Sequence, residues 1–124
     1  NPNIRIIAVQ SENAPAAYLS WEKGEIIESK METIAEGLAT REGYELTQMI
    51  MTKVVNDFVL VSELELKEAV ILHLKMTHTL AEHASAASLA AAIKIKEELK
   101  DKKVVIIHSG SNITLPQLVE AINP

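Results

Sequence analysis

The chain has 124 residues, about one domain, of which 48% are hydrophobic and 23% charged. Its net charge of −5 disfavours a nucleic-acid or anionic-membrane surface, and the absence of cysteine removes disulfides, a thiolate nucleophile and Cys-based zinc sites. The lack of cysteine suits a cytoplasmic protein; no apolar run approaches the roughly 20 residues that span a bilayer, and no signal peptide is visible.

Taken in chain order, Ile4, Ile6, Ile7 and Val9 predict a buried first strand over 4–9, followed by a polar loop at Gln10–Glu12. A strand so close to a free end is unusual, since termini tend to fray, and it suggests a piece of a longer chain. Asn13 is placed to cap a short helix with Pro15 in its first turn and Gly24 at its stop. Tyr18 and Trp21 share one face of that helix and are expected to pack on a neighbouring element. Residues 25–43 have weak periodicity, but their Ala, Ile and Leu content predicts an ordered segment in which the backbone at Gly37 makes a close approach to another part of the chain.

A helix is expected from Thr47 to about Val55, then a second strand at Asp57–Val61. Ser62 and Glu65 form a capping box, with Val61 and Leu66 as the hydrophobic staple. The next helix carries Leu66, Ala69, Val70, His73, Leu74 and Thr77 on one face. Met49, Met51 and Met76 read as core gap-fillers. Leu80 to Lys102 predicts one long helix: an alanine-rich half that can press closely on a sheet, then a charged half with Lys94–Glu98 and Glu98–Lys102 pairs at the surface. Val104-Val105-Ile106-Ile107 predicts a third strand, buried on both faces. The turn Ser109-Gly110-Ser111-Asn112 comes next, and Thr114 with Gln117 caps a last helix, with Pro116 in its first turn. Strands alternating with helices indicate a parallel α/β arrangement of three layers, a short parallel sheet flanked by helices.

Ligands of open α/β sheets sit outside the carboxyl ends of the strands, and the turn at 109–112 is such a place. Chemically it is also an ordinary strand-to-helix turn. His73, His78 and His83 are five apart, roughly 140° around a helix, so they do not converge on a metal. His78 and Glu82 are four apart and could face each other. There is no Walker loop and no GxSxG, and spacing makes no catalytic pair of Glu12, Glu36 and Glu82.

Five separated segments nevertheless resemble one family in order and spacing: 6–16 (Ile-Ile-Ala-Val-Gln-Ser-Glu-Asn-Ala-Pro-Ala), 32–40 (Glu-Thr-Ile-Ala-Glu-Gly-Leu-Ala-Thr), 57–62 (Asp-Phe-Val-Leu-Val-Ser), 77–82 (Thr-His-Thr-Leu-Ala-Glu) and 109–113 (Ser-Gly-Ser-Asn-Ile). The family is the threonine/serine dehydratase branch of the pyridoxal-phosphate-dependent, tryptophan-synthase-β-like enzymes. The resemblance implies that residues 1–124 are the carboxyl-terminal part of a catalytic domain, within the large domain of a fold-type-II enzyme. The Schiff-base lysine, the substrate-carboxylate loop and the glycine-rich phosphate cradle would then precede Asn1, so that no catalytic residue is assigned here and the chain alone is expected to be inactive and without cofactor.

By the same resemblance, Ser109 offers its hydroxyl to the pyridine nitrogen of pyridoxal 5′-phosphate. Gly37 and Leu38 pass their backbone beside the ring, Glu82 lies near the same end, and Gly110 and Asn112 shape the turn. A neutral hydroxyl tempers the cofactor as an electron sink, which suits β-elimination. Three departures stand out. Ser111 replaces a usual glycine, at a cost of about 1 kcal/mol if that position needs φ > 0. Glu82-His83-Ala84-Ser85 replaces a glycine-rich stretch. Gln10 and Ala16 stand where metal-binding relatives have carboxylates, which makes a Mg²⁺ or Ca²⁺ site unexpected. The implied activity is conversion of L-threonine to 2-oxobutanoate, with L-serine as a second substrate, in amino-acid metabolism leading to isoleucine. The implied partners are a small amino acid and either a second copy or the missing amino-terminal part, with no nucleic acid and no membrane. The alternatives are a non-catalytic α/β association module and a sister activity such as serine racemisation.

Overall fold

Two β-branched strands lie side by side at the centre of the computed structural model, which describes residues 3–123. Asn1, Pro2 and Pro124 fall outside the described residues, and with them the expectations about the two ends of the chain. The strands are β1 (Ile7–Ser11) and β2 (Asp57–Val61), paired in parallel with Ile7 opposite Asp57 and Ser11 opposite Val61. Parallel neighbours need a long crossover. Here it holds helix α1 (Ala16–Lys23), a single 3₁₀ turn (Glu36–Leu38) and helix α2 (Glu45–Val54). Beyond β2 come α3 (Glu63–Thr77), α4 (His83–Lys94) and α5 (Leu115–Ile122).

Alternation along β2 distributes the helices over two faces. Phe58 turns one way, and the rings of Tyr18 and Trp21 meet it at 5.5 and 5.8 Å between centroids, as the shared helix face predicts. Val59 and Val61 turn the other way into a core with Leu66, Ala69 and Val70 of α3 and Ala86, Ala87, Ala90 and Ala91 of α4. The alanine face lets α4 pack on α3 and on both strands. Leu66, Val61 and Val70 are the largest fully buried side chains, each worth roughly 1.5–3 kcal/mol of burial. The result is a short parallel sheet with helices on both faces.

The helix ends obey local chemistry. Ser62 Oγ accepts from Glu65 N–H at 3.2 Å and Glu65 Oε2 accepts from Ser62 N–H at 2.7 Å, a complete capping box. Thr114 and Gln117 repeat it on α5. Gly24 ends α1 at φ +73°, a conformation that favours glycine.

Six expectations need correction. The first strand starts at Ile7, not Ile4, and runs on through Gln10 and Ser11, because the ladder begins only where β2 does. Before it, Asn56 Oδ1 accepts from Ile6 N–H and Asn56 N–H donates to Ile6 O, both at 2.8 Å. Asn13 does not cap α1: Pro15 holds that position, and Asn13 Oδ1 accepts from Lys30 at 2.9 Å. The long helix 80–102 is shorter. It begins after Glu82 and ends at Lys94, with turns over 95–101, since only the alanine half has a buried face to support it. With the helix ended, the expected Lys94–Glu98 pair does not form. Lys94 instead reaches Glu12 at 3.2 Å and Glu65 at 3.0 Å, and Glu98 pairs with Arg5 at 3.2 Å. The third strand, 104–107, is extended but unpaired: the sheet has two strands among the described residues, and Val105 is 86% exposed. Finally, Met49 and Met76 are exposed rather than in the core, because they lie on outer faces of α2 and α3; Leu74 and Thr77 are exposed as well.

Candidate functional site

Helix α3 ends in a left-handed residue, His78 at φ 54°, which turns the chain toward the start of α4. Glu82 occupies the cap position of α4 but does not cap it. Its side chain crosses instead to the turn at 109–112, where Glu82 Oε2 accepts from Asn112 N–H at 3.0 Å. Its own N–H donates to Gly110 O at 3.2 Å. One residue thus clamps the turn by main chain and side chain together. A Cβ on Gly110 would stand 2.9 Å from Glu82 Oε1 and 3.0 Å from its Cδ, so a side chain there would push the Glu82 carboxylate from its place on the turn.

The 3₁₀ turn meets the same corner from the other side. A Cβ on Gly37 would lie 2.9 Å from the Ala84 Cβ. The expected close approach is therefore made, and its partner is the Ala84 side chain at the start of α4. Neither Gly110 nor Ser111 has a left-handed backbone, so Ser111 carries no conformational cost in place of glycine. Between these elements lies a polar cavity of about 210 Å³, lined among others by Ile34, Gly37, Glu82, His83, Asn112 and Gln117.

Of the six residues singled out in the sequence, the structure brings Gly37, Glu82, Gly110 and Asn112 to this corner. Leu38, the next residue after Gly37, is half-buried with its side chain packed against the core. Ser109 is exposed, and its N–H donates to the buried Ser85 Oγ at 3.0 Å. Ser88 Oγ, one turn further along α4, donates to Ile107 O at 2.9 Å. These two serines lay the 104–109 run along α4.

Two buried histidines border the region. His83 is 4% exposed with its Nε2 unpartnered, and His73, also unpartnered at Nε2, sets its ring 5.3 Å from that of His108. Burial lowers both pKa values, since the charged form loses water; the cation of His108 adds to the effect on His73. His78 is exposed, and no ion pair joins it to Glu82. Among the described residues no cluster of three or more His, Cys, Asp and Glu is arranged to hold a metal ion. Gln10 is buried with both side-chain atoms in use: Nε2 donates to Thr40 Oγ1 at 3.0 Å, and Oε1 accepts from Tyr18 N–H at 3.1 Å. Ala16 is fully buried.

Sequence reasoning passed over Glu63. As the first residue of α3 it reads as an acidic side chain suited to a helix start. In the structure its two oxygens accept three hydrogen bonds: from Ser11 Oγ at 2.7 Å, Thr33 Oγ1 at 2.8 Å and Ile34 N–H at 2.7 Å. No spacing signal marks it, because its partners lie 29 to 52 residues away. Ser85 was missed for the same reason.

Residues 1–110 match the model of the pyridoxal-phosphate-dependent enzyme family. The chain is 36% identical over 125 residues to the L-threonine ammonia-lyase of Thermotoga maritima, covering 99% of this chain and 31% of that protein. It is 38% identical over 130 residues to the serine racemase of Dictyostelium discoideum, covering 99% of this chain and 39% of that protein. Its fold matches the processed form of threonine deaminase isoform 2 from Solanum lycopersicum with a TM-score of 0.89 at 26% identity, over 98% of this chain and 36% of that one. The chain spans between about a third and two fifths of the length of the curated relatives it matches.

Proposed function

The chain belongs to the pyridoxal-phosphate-dependent enzyme family and has the fold of its fold-type-II members, and from that footing we propose that it supplies the pyridine-nitrogen end of the cofactor site of a threonine ammonia-lyase. That enzyme converts L-threonine to 2-oxobutanoate and ammonia, and L-serine to pyruvate and ammonia. The observation that carries the reading is the clamp of Glu82 on the Gly110–Asn112 turn, opposite Gly37.

The residues present fit one end of a planar cofactor. Gly37 and Gly110 leave bare backbone where a side chain would collide with Ala84 or Glu82. Ser109 is exposed and directly precedes the Gly110–Asn112 turn, held by its N–H on Ser85. Ser109 would hold the ring nitrogen by a neutral hydrogen bond, and Glu82 and Asn112 would keep the turn in register for it. Gly37 and Leu38, with the Leu38 side chain packed against the core, would border the ring by main chain. The cofactor, when bound, supplies the electron sink that labilises the bonds at the amino acid's α-carbon.

The residues around the cavity include no lysine and no glycine-rich loop for a phosphate. On this reading turnover draws on groups from outside these 124 residues, and we expect the polypeptide by itself to be inactive. The proposal includes a larger assembly, of copies or of chain segments, a cytoplasmic location and a place in amino-acid metabolism. Serine racemisation is the second reading, favoured by the 38% identity to a serine racemase.

The test is an assay of the intact gene product containing these residues, with added pyridoxal phosphate. L-Threonine should yield 2-oxobutanoate, and Ser109→Ala should weaken cofactor binding roughly fivefold or more, the effect of one hydrogen bond. Release of D-serine from L-serine without keto acid would select the second reading instead. Turnover by the isolated 124-residue chain would contradict the dependence on outside groups.

A further inference from the structure

Glu63 takes no part in capping its own helix. The capping box of α3 is complete without it, formed by Ser62 and Glu65. Its side chain points away across the carboxyl end of the sheet, where it receives three hydrogen bonds from two other segments. Ser11 is the last residue of β1 and is fully buried; its hydroxyl donates to Glu63 Oε1, and the same oxygen atom of Ser11 accepts from Asn13 N–H at 3.0 Å. Thr33 donates to Glu63 Oε1 and in turn accepts from Ala35 N–H at 3.1 Å. Ile34 N–H donates to Glu63 Oε2.

The segment so held leads straight to the candidate site. Ala35 is fully buried, and Glu36, Gly37 and Leu38 form the 3₁₀ turn immediately after it. Gly37 lines the cavity together with Ala84, and a side chain at Gly37 would meet the Ala84 Cβ at 2.9 Å, so the position of this turn shapes that wall of the cavity. Apart from an isolated bridge between Glu28 and Glu42, the stretch between α1 and α2 has no sheet pairing to fix its height. A charged acceptor at the positive end of a helix, taking three donors, is a stiff anchor.

We propose that Glu63 is a positioning residue for the cofactor site: it fixes the Thr33–Ala35 approach and so sets where Gly37 borders the ligand, without touching the ligand itself. This rests on the cofactor reading above and adds to it a residue that the family resemblance did not point to.

Glu63→Gln keeps the size of the side chain but can offer only one oxygen to three donors. Hydrogen–deuterium exchange in the intact gene product reads the anchor directly. The amides of Ile34 and Leu38 should exchange at least tenfold faster in the variant, while those of Val70 and Ala90 in the core stay unchanged. Pyridoxal-phosphate affinity, read by cofactor absorbance, should fall in parallel by about the same factor, with kcat at saturating cofactor changed less than that affinity. Glu63→Asp, which retains the charge, should recover part of both. Unchanged exchange at Ile34 overturns the anchor whatever the cofactor does. Faster exchange with undiminished cofactor affinity overturns the positioning role and leaves the cofactor reading intact. Failure of the unaltered protein to bind pyridoxal phosphate overturns the cofactor reading and the positioning role with it, and is told apart from the first outcome by the exchange pattern.

Discussion

Phe58-Val59-Leu60-Val61 and Val104-Val105-Ile106-Ile107 are two runs of the same character, and by composition either one predicts a buried strand. The first lies in the sheet, with Val61 fully buried and a parallel ladder to β1. The second is in no strand and is largely open to solvent, with Val105 at 86% and Ile107 at 67% exposure. The difference is in what each run lies against. Val59 and Val61 meet the alanine face of α4 and Leu66 of α3. The 104–107 run has only serine hydrogen bonds from α4, which orient its backbone without covering its side chains. A β-branched run encodes an extended conformation; a strand also requires a neighbour.

The largest expected effect comes from placing the same substitution in both runs. Val61→Asp would bury a carboxylate with no partner, at a cost on the order of 5 kcal/mol, comparable with the whole stability of a small domain, and should leave the 124-residue chain unfolded. Val105→Asp in the same chain should shift stability by no more than about 0.5 kcal/mol. Urea unfolding followed by circular dichroism checks both. A cost for Val105→Asp approaching that of Val61→Asp, in a longer gene product, would mean that the second run is covered there.

A second contrast uses the two capping boxes, one beside each run. Ser62 stands directly after the buried strand and starts a helix that carries Leu66 and Val70 into the core. Thr114 stands after the exposed run and starts α5, whose Leu115 is 77% exposed. Ser62→Ala should cost about 1 kcal/mol of global stability. Thr114→Ala removes an equivalent box from a helix that contributes mainly Ala121 and Leu118 to the core. Its effect should appear as fraying of α5 by amide exchange before it appears in the unfolding midpoint. Equal midpoint shifts for the two would show α5 to be as tightly coupled to the core as α3.

How much was legible in the sequence obeys the same division. The bounds of β2, the capping boxes, the Tyr18–Trp21 face and the glycine stop of α1 were readable, because each depends on residues close in the chain. The glycine at position 37 was readable as a close approach, and the structure supplies its partner, Ala84. The third strand was misread because its signal is local and its pairing is not. The length of α4 was misread because helix propensity continues past Lys94 while the buried face does not. Glu63 was invisible for the converse reason. Nothing near it in the chain reveals that Thr33 and Ile34 come within hydrogen-bond distance, and an acidic residue at a helix start already has a sufficient local explanation. Glu82 was reached only through resemblance to a family, since no spacing rule brings it to Asn112.

The smallest expected effect lies where the two regions touch, at the edge-to-face contact of His73 in α3 with His108 at the end of the exposed run. His73 is buried, and burial, with the cation of His108 second, holds its pKa below the ordinary 6.5. The unfolded chain therefore takes up this proton at a higher pH than the folded one does. Between those two values the unfolded state binds more protons, so stability rises with pH there. The contribution is fully present above about pH 6.5 and declines as pH falls below it. His83, also shifted down by burial, adds a slope of the same sign. Unfolding midpoints in urea at pH 7.5, 6.5 and 5.5 should therefore fall in that order, and His73→Gln should make the fall shallower without abolishing it. His108→Gln should act in the same direction more weakly, because it removes the lesser of the two causes and leaves His73 buried. If His108→Gln flattened the profile more than His73→Gln did, the run at 104–109 would be gripping α3 far more firmly than its exposure implies, and the contrast between the two runs would shrink accordingly.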